Sequence, residues 1–233
     1  MRLFLVGATL SPPFEHCKDE MLKFITSSRR AGLITAANLF DEQAYFHIME
    51  EHLTKVSPRI SQELVHIRWN TNWVDALNKV DVLIIPGGNT STLLKRLHES
   101  GLLVALRERI RGGLPYIGSS AGANIAGPNI LTANDWNVVG LTQFEALALV
   151  HFNINPHYVE RSATDAPHSE TRTLRIREFH QVWSNPVVAI EETAIVKVIG
   201  TQAFAAGTGM VKVFTKSGKQ SWFKGGERLT FEE

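Results

Sequence analysis

The sequence predicts an α/β fold with a mostly parallel central sheet, helices on both of its faces and an antiparallel edge. Three features point to it: short apolar runs alternate with helical patterns in the first half, the run at residues 82–85 lacks polar alternation, and the last third is rich in β-forming segments. Strands that alternate with helices form βαβ units, and a strand without polar alternation is covered on both faces. We expect one domain over residues 1–233, because no linker divides the chain.

The first half alternates five strand patterns with five helix patterns. We predict the strands at Leu3–Val6, Ala31–Ala36, Leu64–Ile67, Val82–Ile85 and Pro115–Ile117. We predict the helices at Glu15–Ser28, Asp41–Thr54, Trp73–Val80, Ser91–Glu99 and Leu103–Arg111. The apolar run at residues 3–6 is too short for the core of a secretory signal and is more typical of a buried strand.

The second half is less regular and richer in β-forming residues. We predict a strand at Leu149–Ile154 and a helix at Glu170–Trp183. Further β segments are predicted at Val187–Ile190, Ala194–Ile199, Val211–Phe214 and around Phe223–Phe231, with a hairpin turn at Lys216–Lys219. We interpret these segments as the antiparallel edge of the parallel sheet.

Charge and cysteine content narrow the functional classes. The chain carries 24 Lys and Arg and 23 Asp and Glu, a net charge of +1. This balance predicts no nucleic-acid or membrane partner, and Arg107, Arg109 and Arg111 are expected on the solvated side of a helix. The single cysteine, Cys17, excludes an internal disulfide and favours a reducing compartment. No stretch reaches about 18 apolar residues, the minimum for a membrane span, so we expect a soluble cytoplasmic protein.

The most informative segment is Gly118-Ser119-Ser120-Ala121-Gly122, which follows a predicted strand and precedes a helix start. It has the G-x-S-x-G pattern of a nucleophile elbow. This turn is so tight that the residues two before and two after the nucleophile must be small, and only Ser120 has glycine at both places. The elbow lifts a hydroxyl to the carboxyl end of the sheet and aims the Ala121 N–H at a developing oxyanion. The alternative is a glycine-rich turn with an inert serine.

A second glycine-rich loop, Pro86-Gly87-Gly88-Asn89-Thr90, follows the strand predicted at residues 82–85. An oxyanion hole pairs the N–H after the nucleophile with an N–H from a neighbouring strand-end loop. We therefore predict Gly88 as the second donor and Asn89 as a substrate contact beside it. The alternative is a simple turn in which Asn89 or Thr90 caps the next helix.

A serine nucleophile needs a general base, which is usually a histidine. His157 follows a strand and a proline, so it is expected at a strand end. The base also needs a carboxylate that fixes its tautomer, and Asp135 and Glu192 compete for that role. Asp135 lies 15 residues after Ser120, and Glu192 ends a β segment 35 residues after His157. The residues alone leave both open.

Several segments carry these candidates in one series: Gly118–Asn124, Thr132–Asp135, Asn153–His157 and Glu170–Arg172, with Pro86–Thr90 and Arg175–Glu178 in addition. In order and spacing they resemble peptidase E, the family of α-aspartyl dipeptidases, over almost the whole chain. Three positions depart from the family pattern. Ser119 stands in place of a tryptophan, Glu191 in place of a proline and Thr193 in place of a glycine.

The resemblance implies an α/β domain similar to class I glutamine amidotransferases, with serine at the nucleophile position. It implies hydrolysis of dipeptides with an N-terminal aspartate through an acyl-enzyme on Ser120, with His157 as the base and without metal or cofactor. Asp135 and Glu192 both match positions proposed for the third member of the triad. We favour Glu192 for the bond to His157 and Asp135 as a supporting residue.

Selection of an N-terminal aspartate needs a fixed cation for the β-carboxylate and an anion for the α-ammonium. The resemblance assigns the carboxylate to Arg172, whose guanidinium can bind it through two parallel hydrogen bonds. Glu170 is the candidate partner of the ammonium. The alternative is an exposed Arg172 at a helix start. Small peptides are thus the expected partners, and we expect a monomer or a homodimer.

Three other functions compete with this prediction. A serine esterase of the α/β-hydrolase type places its histidine late in a longer chain, and the last histidine here, His180, lies in a helical pattern. A cyanophycinase-like enzyme, which resembles the same family, would cleave an aspartyl-arginine polymer. A binding protein with an inactive triad is disfavoured, because every triad position keeps a competent residue type.

Overall fold

Eleven strands and seven helices make up the residues that the computed structural model describes, which are 1–25, 30–57, 60, 63–160 and 170–232. The strands are β1 Arg2–Val6, β2 Ala31–Leu33, β3 Leu64–His66, β4 Val82–Ile85, β5 Tyr116–Ser119, β6 Asn153–Pro156, β7 Val187–Ile190, β8 Ala194–Ile199, β9 Gln202–Gly207, β10 Val211–Phe214 and β11 Gln220–Phe223. The helices are α1 Lys18–Phe24, α2 Glu42–Val56, α3 Val74–Asn78, α4 Thr90–Glu99, α5 Leu102–Arg111, α6 Ala121–Asn124 and α7 Arg172–Val182.

A seven-stranded sheet lies at the centre, in the order β3-β2-β4-β5-β1-β8-β9. Strands β1 to β5 pair in parallel, whereas β8 and β9 pair antiparallel and form the edge beyond β1. Residues of β1 alternate between two apolar cores: Leu3 and Leu5 face the core that includes α3, α4 and α5, and Phe4 and Val6 face the core that includes α1 and α2. The predicted α/β architecture, with helices on both faces and an antiparallel edge, is confirmed.

The remaining strands form a second sheet, in the order β11-β10-β7-β6. The prediction that the late β segments extend the parallel sheet is therefore wrong for Val187–Ile190 and Val211–Phe214, which are β7 and β10 of the second sheet, and right for Ala194–Ile199, which is β8. β6 and β7 are parallel neighbours, and β10 and β11 continue antiparallel from β7. All residues of β7 and β10 are buried. They therefore lack the alternation of apolar and polar residues that is typical of a strand with one face in solvent. A strand without this alternation carries no local signal of which sheet it joins, because pairing is decided by tertiary packing.

Several predicted boundaries also differ from the structure. The strand predicted at Leu149–Ile154 is wrong in its first four residues, since β6 begins at Asn153, and the Phe152 ring stacks instead on Phe231 with centroids 5.2 Å apart. Strand β11 ends at Phe223, where a C-terminal β segment was predicted to begin, and the alanine-rich β9 was missed. The predicted helix Glu15–Ser28 is a 3₁₀ turn followed by α1, and residues 26–28 lie outside the described part.

The prediction of a solvated face for the arginines of α5 holds for Arg111, which is exposed, but Arg107 and Arg109 are half-buried. Arg107 donates to the carbonyls of Ala146 and Leu147 at 2.7 and 3.0 Å, and Arg111 donates to the carbonyl of Ala148 at 2.6 Å. A guanidinium has five donors in a planar fork, so it can satisfy several backbone acceptors of an irregular segment at once. Arg107 and Arg111 therefore hold the backbone of residues 146–148 against α5.

The two sheets meet at Gly7, directly after β1. Its N–H donates to the carbonyl of Ala194 at 3.1 Å, and its own carbonyl accepts from the N–H of His157 at 3.2 Å. A Cβ at this position would lie 1.9 Å from the carbonyl oxygen of Glu191, so only glycine fits. The carboxyl ends of β1, β6 and β7 thereby converge at one place.

Lys212, in β10, is a buried cation with a side chain that is 4% exposed. Its Nζ lies 2.5 Å from the carboxylate of Glu160 and 4.6, 4.9 and 5.7 Å from the ring centroids of Trp222, Phe214 and Tyr158. Burial acts to raise the pKa of Glu160, but hydrogen bonds from Lys212 and Tyr158 outweigh it and lower that pKa. The pair is asymmetric, because the Glu160 side chain is 46% exposed.

We expect this asymmetry to appear in the free energy of unfolding. Glu160→Ala leaves the buried ammonium of Lys212 without its counter-charge and should cost about 2 kcal/mol, whereas Lys212→Met leaves a carboxylate that water can reach and should cost about 1 kcal/mol or less. The double variant should be more stable than Glu160→Ala alone. Urea unfolding of the three variants measures this order, and a Lys212→Met variant less stable than Glu160→Ala would contradict it.

Candidate active site

Ser120 lies on the sharp turn between β5 and α6, with φ 52° and ψ −110°, a backbone conformation that is rare for any residue with a side chain. A Cβ at Gly118 would lie 2.4 Å from the carbonyl oxygen of Gly122, and a Cβ at Gly122 would lie 1.9 Å from that of Ile85. The Tyr116 hydroxyl donates to the Gly122 carbonyl at 2.6 Å and holds the turn closed. The structure thus forms the glycine-flanked elbow that the sequence predicts.

The hydroxyl of Ser120 meets the imidazole of His157, with 2.8 Å between Oγ and Nε2. On the far side of the ring, Nδ1 lies 3.3 Å from Oε1 of Glu192. His157 follows β6 and Glu192 follows β7, and since these strands are parallel neighbours their carboxyl ends lie side by side. The three side chains form a continuous line from a part-buried hydroxyl to a carboxylate that is 53% exposed.

His157 shares the unusual backbone of Ser120, with φ 55°. Its N–H is held by the carbonyl of Gly7, and the N–H of Tyr158 is held by the carbonyl of Ile190 at 3.0 Å. Left-handed backbone at residues with side chains is concentrated at functional sites, where the surrounding structure imposes it. Both partners of the 2.8 Å contact are therefore fixed by their own backbones.

Asp135 lies at the start of α4 rather than beside the imidazole. One carboxylate oxygen accepts hydrogen bonds from both the N–H and the hydroxyl of Thr90, with 2.9 Å to the nitrogen. No hydrogen bond joins Asp135 to His157 among the described residues. Of the two acids that the sequence left open, Glu192 contacts the base, and Asp135 anchors residues 134–136 to the helix beside the Gly87-Gly88 loop.

We expect Glu192→Gln and Asp135→Asn to differ in their effect on kcat. Loss of a buried triad acid costs about 10⁴-fold; because Glu192 is half exposed and water can take its place, we expect about 10²-fold for Glu192→Gln. Asp135→Asn keeps an oxygen that can accept from Thr90, so its kcat should fall less than about tenfold. Steady-state kinetics on an aspartyl dipeptide compares them, and a larger loss for Asp135→Asn would reverse the assignment.

The two predicted oxyanion donors are the N–H groups of Gly88, in the loop before α4, and of Ala121, the first residue of α6. Gly88 has φ +140°, and a Cβ there would lie 2.5 Å from the carbonyl oxygen of Ala37. The Gly88 N–H has no hydrogen-bond acceptor among the described residues, and the Ala121 N–H belongs to the first residue of α6, which has no intrahelical acceptor. The N–H of Gly87, by contrast, already donates to Oγ1 of Thr9 at 3.1 Å.

Asn89 acts as the N-cap of α4. Its Oδ1 accepts from the N–H and the hydroxyl of Thr92, each at 2.9 Å, and its Nδ2 donates to the carbonyl of Trp136 at 2.9 Å. The side chain thus has partners at both ends within the protein, as the capping alternative predicts. Its prediction as a substrate contact stays a prediction.

A cleft of about 320 Å³ opens over Ser120 and His157. Its other lining residues are Thr9, Leu10, Asn38, Tyr45, Gly87 and Gly88. Sequence reasoning missed the first four of these. Thr9 follows β1 and Asn38 follows β2, so the rule that sites lie beyond the carboxyl ends of parallel strands gave the signal for both. Tyr45 comes from α2, and burial raises its pKa to about 12.

Arg172 and Glu170 lie in a neighbouring pocket of about 230 Å³, together with Asn134, Val159, Thr171 and Arg175. Asn134 connects this pocket to the base, because its Nδ2 donates to the carbonyl of Pro156 at 2.8 Å. The carboxylate of Glu170, which is 67% exposed, accepts from Nε and Nη2 of Arg175 at 3.1 and 2.8 Å. The Glu170 carboxylate is therefore already paired with Arg175, and an ammonium that binds it would share it with this arginine.

His16 is a further neighbour of the site that the sequence did not single out. Both of its ring nitrogens are buried without a hydrogen-bond partner in the described structure. Burial lowers the pKa of His16, and the charge of Glu192 offsets part of this effect. The imidazole of His16 thus lies within electrostatic range of the Glu192 carboxylate.

The described residues contain no group of three or more His, Cys, Asp or Glu side chains placed to hold a metal ion. Within the same residues, none of the helices combines the length and the apolar character that crossing a bilayer requires. The chemistry that the site offers is that of a hydroxyl, an imidazole, a carboxylate and two backbone N–H groups. Together these groups are suited to acyl transfer.

Comparison with known proteins points to one family. The model of Peptidase family S51 matches residues 3–206. Peptidase E of Streptomyces coelicolor is 33% identical over 205 residues, which are 87% of this chain and 81% of that protein. The Drosophila melanogaster protein named "Probable alpha-aspartyl dipeptidase" is 43% identical over 144 residues, which are 61% of this chain and 60% of that protein.

A solved structure shares the fold. The crystal structure of a peptidase from an acI-B1 actinobacterium has a TM-score of 0.71 at 16% identity, covering 99% of this chain and 96% of that chain. The family match covers the elbow, the base and the carboxylate together. From that match, and from the sequence identity to the Streptomyces enzyme, the chain belongs to peptidase family S51.

Proposed function

We propose that this chain is a serine dipeptidase that hydrolyses dipeptides with an N-terminal aspartate. The observation that carries the proposal is the 2.8 Å contact between Oγ of Ser120, on its strained elbow, and Nε2 of His157. The family match and the names of the relatives, peptidase E and alpha-aspartyl dipeptidase, support the substrate class. A serine hydroxyl is a weak nucleophile until an adjacent base removes its proton, and this contact supplies that base.

In the first half of the reaction, Oγ of Ser120 attacks the carbonyl carbon of the aspartyl residue while Nε2 of His157 takes the hydroxyl proton. The carbonyl oxygen becomes an oxyanion, which the N–H groups of Gly88 and Ala121 stabilise. His157 then gives the proton to the departing amine as the C–N bond breaks. The second amino acid leaves, and an aspartyl ester remains on Ser120.

In the second half, a water molecule gives a proton to His157 and its oxygen attacks the ester. The tetrahedral intermediate collapses, the proton returns to Oγ of Ser120 and free aspartate leaves. Glu192 keeps the Nδ1 proton of His157 directed toward its carboxylate, so that Nε2 faces the serine in both halves. Its exposure means that this stabilisation is shared with solvent.

Arg172 supplies the charge that would select aspartate. A guanidinium binds a carboxylate through two parallel hydrogen bonds, and an uncharged analogue does not form this charged pair. Its pocket adjoins the base through Asn134, on the side of His157 where α7 begins. In this arrangement the aspartyl side chain points toward α7 while its carbonyl carbon lies at Ser120.

We expect Arg172→Met to lower kcat/KM for aspartyl-leucine by about 10²-fold, since hydrogen bonds to a charged group contribute about 1.5–3 kcal/mol each. The value for asparaginyl-leucine, which lacks the carboxylate, should change less than about threefold. Arg177→Met is the matched control, because Arg177 is an exposed arginine on the same helix. An equal loss on both dipeptides would remove Arg172 from substrate selection.

The competing functions are separated by substrate and by labelling. Native protein should hydrolyse aspartyl dipeptides faster than aryl esters or an aspartyl-arginine polymer. A fluorophosphonate should label it at Ser120, whereas an inactive-site binding protein would neither be labelled nor cleave any of these substrates. Preferred cleavage of the polymer would favour the cyanophycinase-like alternative.

We further propose that the protein works in the reducing cytoplasm. Cys17 is buried, and burial raises the pKa of its thiol to about 12, so it stays protonated and unreactive. This fits work in a reducing cytoplasm, as a monomer or homodimer acting on small peptides. Nucleic acids and membranes have no place in the proposed reaction, since the catalysed bond lies in a small soluble peptide.

A further inference from the structure

Two aromatic side chains stand almost fully in solvent near the catalytic cleft. Phe40 is 98% exposed and Trp136 is 83% exposed, and Leu39 and Val138 beside them are 43% and 60% exposed. We call these four residues the rim patch. Each aromatic ring would remove about 150–250 Å² from water if it were covered, so a ligand that covers them gains affinity.

Phe40 is tied to the wall of the cleft by a short and well-anchored segment. Asn38 lines the cleft, and its Oδ1 accepts from the N–H of Phe40 at 2.9 Å. The backbone on which Asn38 lies is held by Arg96, whose guanidinium donates to the carbonyls of Ala36 and Asn38 at 2.9 and 2.7 Å. The backbone of Phe40 is therefore anchored two residues beyond a residue that lines the cleft.

Trp136 is tied to the same wall from the other side. Its carbonyl accepts from Nδ2 of Asn89 at 2.9 Å, and the preceding residue, Asp135, is anchored to Thr90. The N–H of Asn89 in turn donates to the carbonyl of Ala37 at 2.9 Å. This bond joins the two segments, so the backbones of Phe40 and Trp136 are both attached to the wall of the cleft beside Gly88.

The placement of Arg172 decides which half of a dipeptide reaches this rim. Arg172 lies in the pocket beside α7 and does not line the cleft that holds Ser120. If the aspartyl side chain points to Arg172, the residue after the scissile bond is left with the cleft of Leu10, Asn38 and Tyr45, and Phe40 is hydrogen-bonded to Asn38 in the wall of this cleft. This step rests on the proposed function.

We propose that Phe40 and Trp136 bind the side chain of the residue that follows aspartate, and that they make the enzyme prefer dipeptides in which this residue is large and apolar. A flexible apolar chain can lie against an aromatic face without a polar partner, whereas a charged or very small side chain gains nothing there. The backbone of the patch is hydrogen-bonded to Asn38, which lines the catalytic cleft, and to Asn89, which follows the lining residue Gly88; this favours the substrate as its occupant.

A dipeptide panel tests the proposal. Native protein should have kcat/KM at least about tenfold higher for aspartyl-leucine and aspartyl-phenylalanine than for aspartyl-glycine, as expected for burial of several methylene groups. Phe40→Ser and Trp136→Ser should each reduce this ratio by about threefold or more and leave the aspartyl-glycine value unchanged. Val104→Ser, at an apolar residue of α5 that is 54% exposed and lines neither the cleft nor the Arg172 pocket, is the control and should keep the native ratio.

Binding of the uncleaved dipeptides to Ser120→Ala, measured by calorimetry, gives a second readout that needs no turnover. In the Ser120→Ala background, Phe40→Ser and Trp136→Ser should each weaken the binding of aspartyl-leucine and leave the binding of aspartyl-glycine unchanged. A native ratio near one, or a ratio that both substitutions leave intact, would overturn the proposal. So would a native dimer that dissociates in Phe40→Ser with its substrate ratio unchanged, because the patch would then be a contact between copies. Failure of the dipeptidase function itself is distinct: native protein would cleave no aspartyl dipeptide, aspartyl-glycine included.

Discussion

Ser120→Ala is expected to lower kcat for an aspartyl dipeptide by about 10⁴-fold or more, the loss typical of a removed triad nucleophile. The methyl group of alanine occupies the same elbow without a hydroxyl, so KM and the circular dichroism spectrum should stay near the native values. Stopped assays with high enzyme concentration measure the residual rate. A variant that keeps more than about 1% of native activity would show that another group is the nucleophile.

His157→Ala should cause a similar loss, and the Ser120→Ala, His157→Ala double variant should be hardly worse than either single one. The reason is that the hydroxyl and the imidazole act as one unit: the nucleophile is not activated without the base, and the base has no substrate-directed role without the nucleophile. Losses that multiply in the double variant would mean that the two residues act independently, against the 2.8 Å contact between them.

Gly122→Ala is expected to be the most destabilising single methyl group that the elbow could receive. Its Cβ would lie 1.9 Å from the carbonyl oxygen of Ile85, in the buried strand β4, and neither backbone can move without disturbing the central sheet. Overpacking of a core typically costs 1–3 kcal/mol and occasionally more. We therefore expect a loss of about 3 kcal/mol in the free energy of unfolding, measured by urea titration, with activity lost as well.

Gly140→Ala provides the control for this effect. Gly122 lies in α6 and has no positive φ, whereas Gly140 has φ 62° and a Cβ there meets nothing within 4 Å. At Gly140 only the cost of left-handed backbone remains, about 1–2 kcal/mol. Its activity should be native. If Gly122→Ala proved no more destabilising than Gly140→Ala, close packing would not be the reason for glycine at the elbow.

The elbow could be predicted from sequence because its requirement is local. Two glycines at fixed distance from Ser120, after an apolar strand, express a steric condition that five consecutive residues contain. The central parallel sheet was predictable for a similar reason. A strand that is buried on both faces is apolar at consecutive positions, as in Val82–Ile85, and this pattern is also local.

The pairing of the acid with the base was not local and could not be read in the same way. Asp135 and Glu192 are both carboxylates near the ends of apolar segments, and what separates them is that β6 and β7 are neighbours in a second sheet. That sheet is held together by contacts between distant segments. The cleft residues Thr9 and Asn38 were missed because neither belongs to a motif; only the strand order places them beside Ser120.

The division of the triad between two sheets has a mechanical consequence. Ser120, the proposed nucleophile, follows β5 of the seven-stranded sheet, whereas His157 and Glu192, the proposed base and its carboxylate, follow β6 and β7 of the second sheet. The two sheets are joined through the backbone of Gly7. The rate of turnover therefore depends strongly on the relative position of the two sheets. A shift of one layer by about 1 Å would lower activity by about 10²-fold while each layer kept its own hydrogen bonds. Inactivation should therefore precede the loss of secondary structure as the protein is heated.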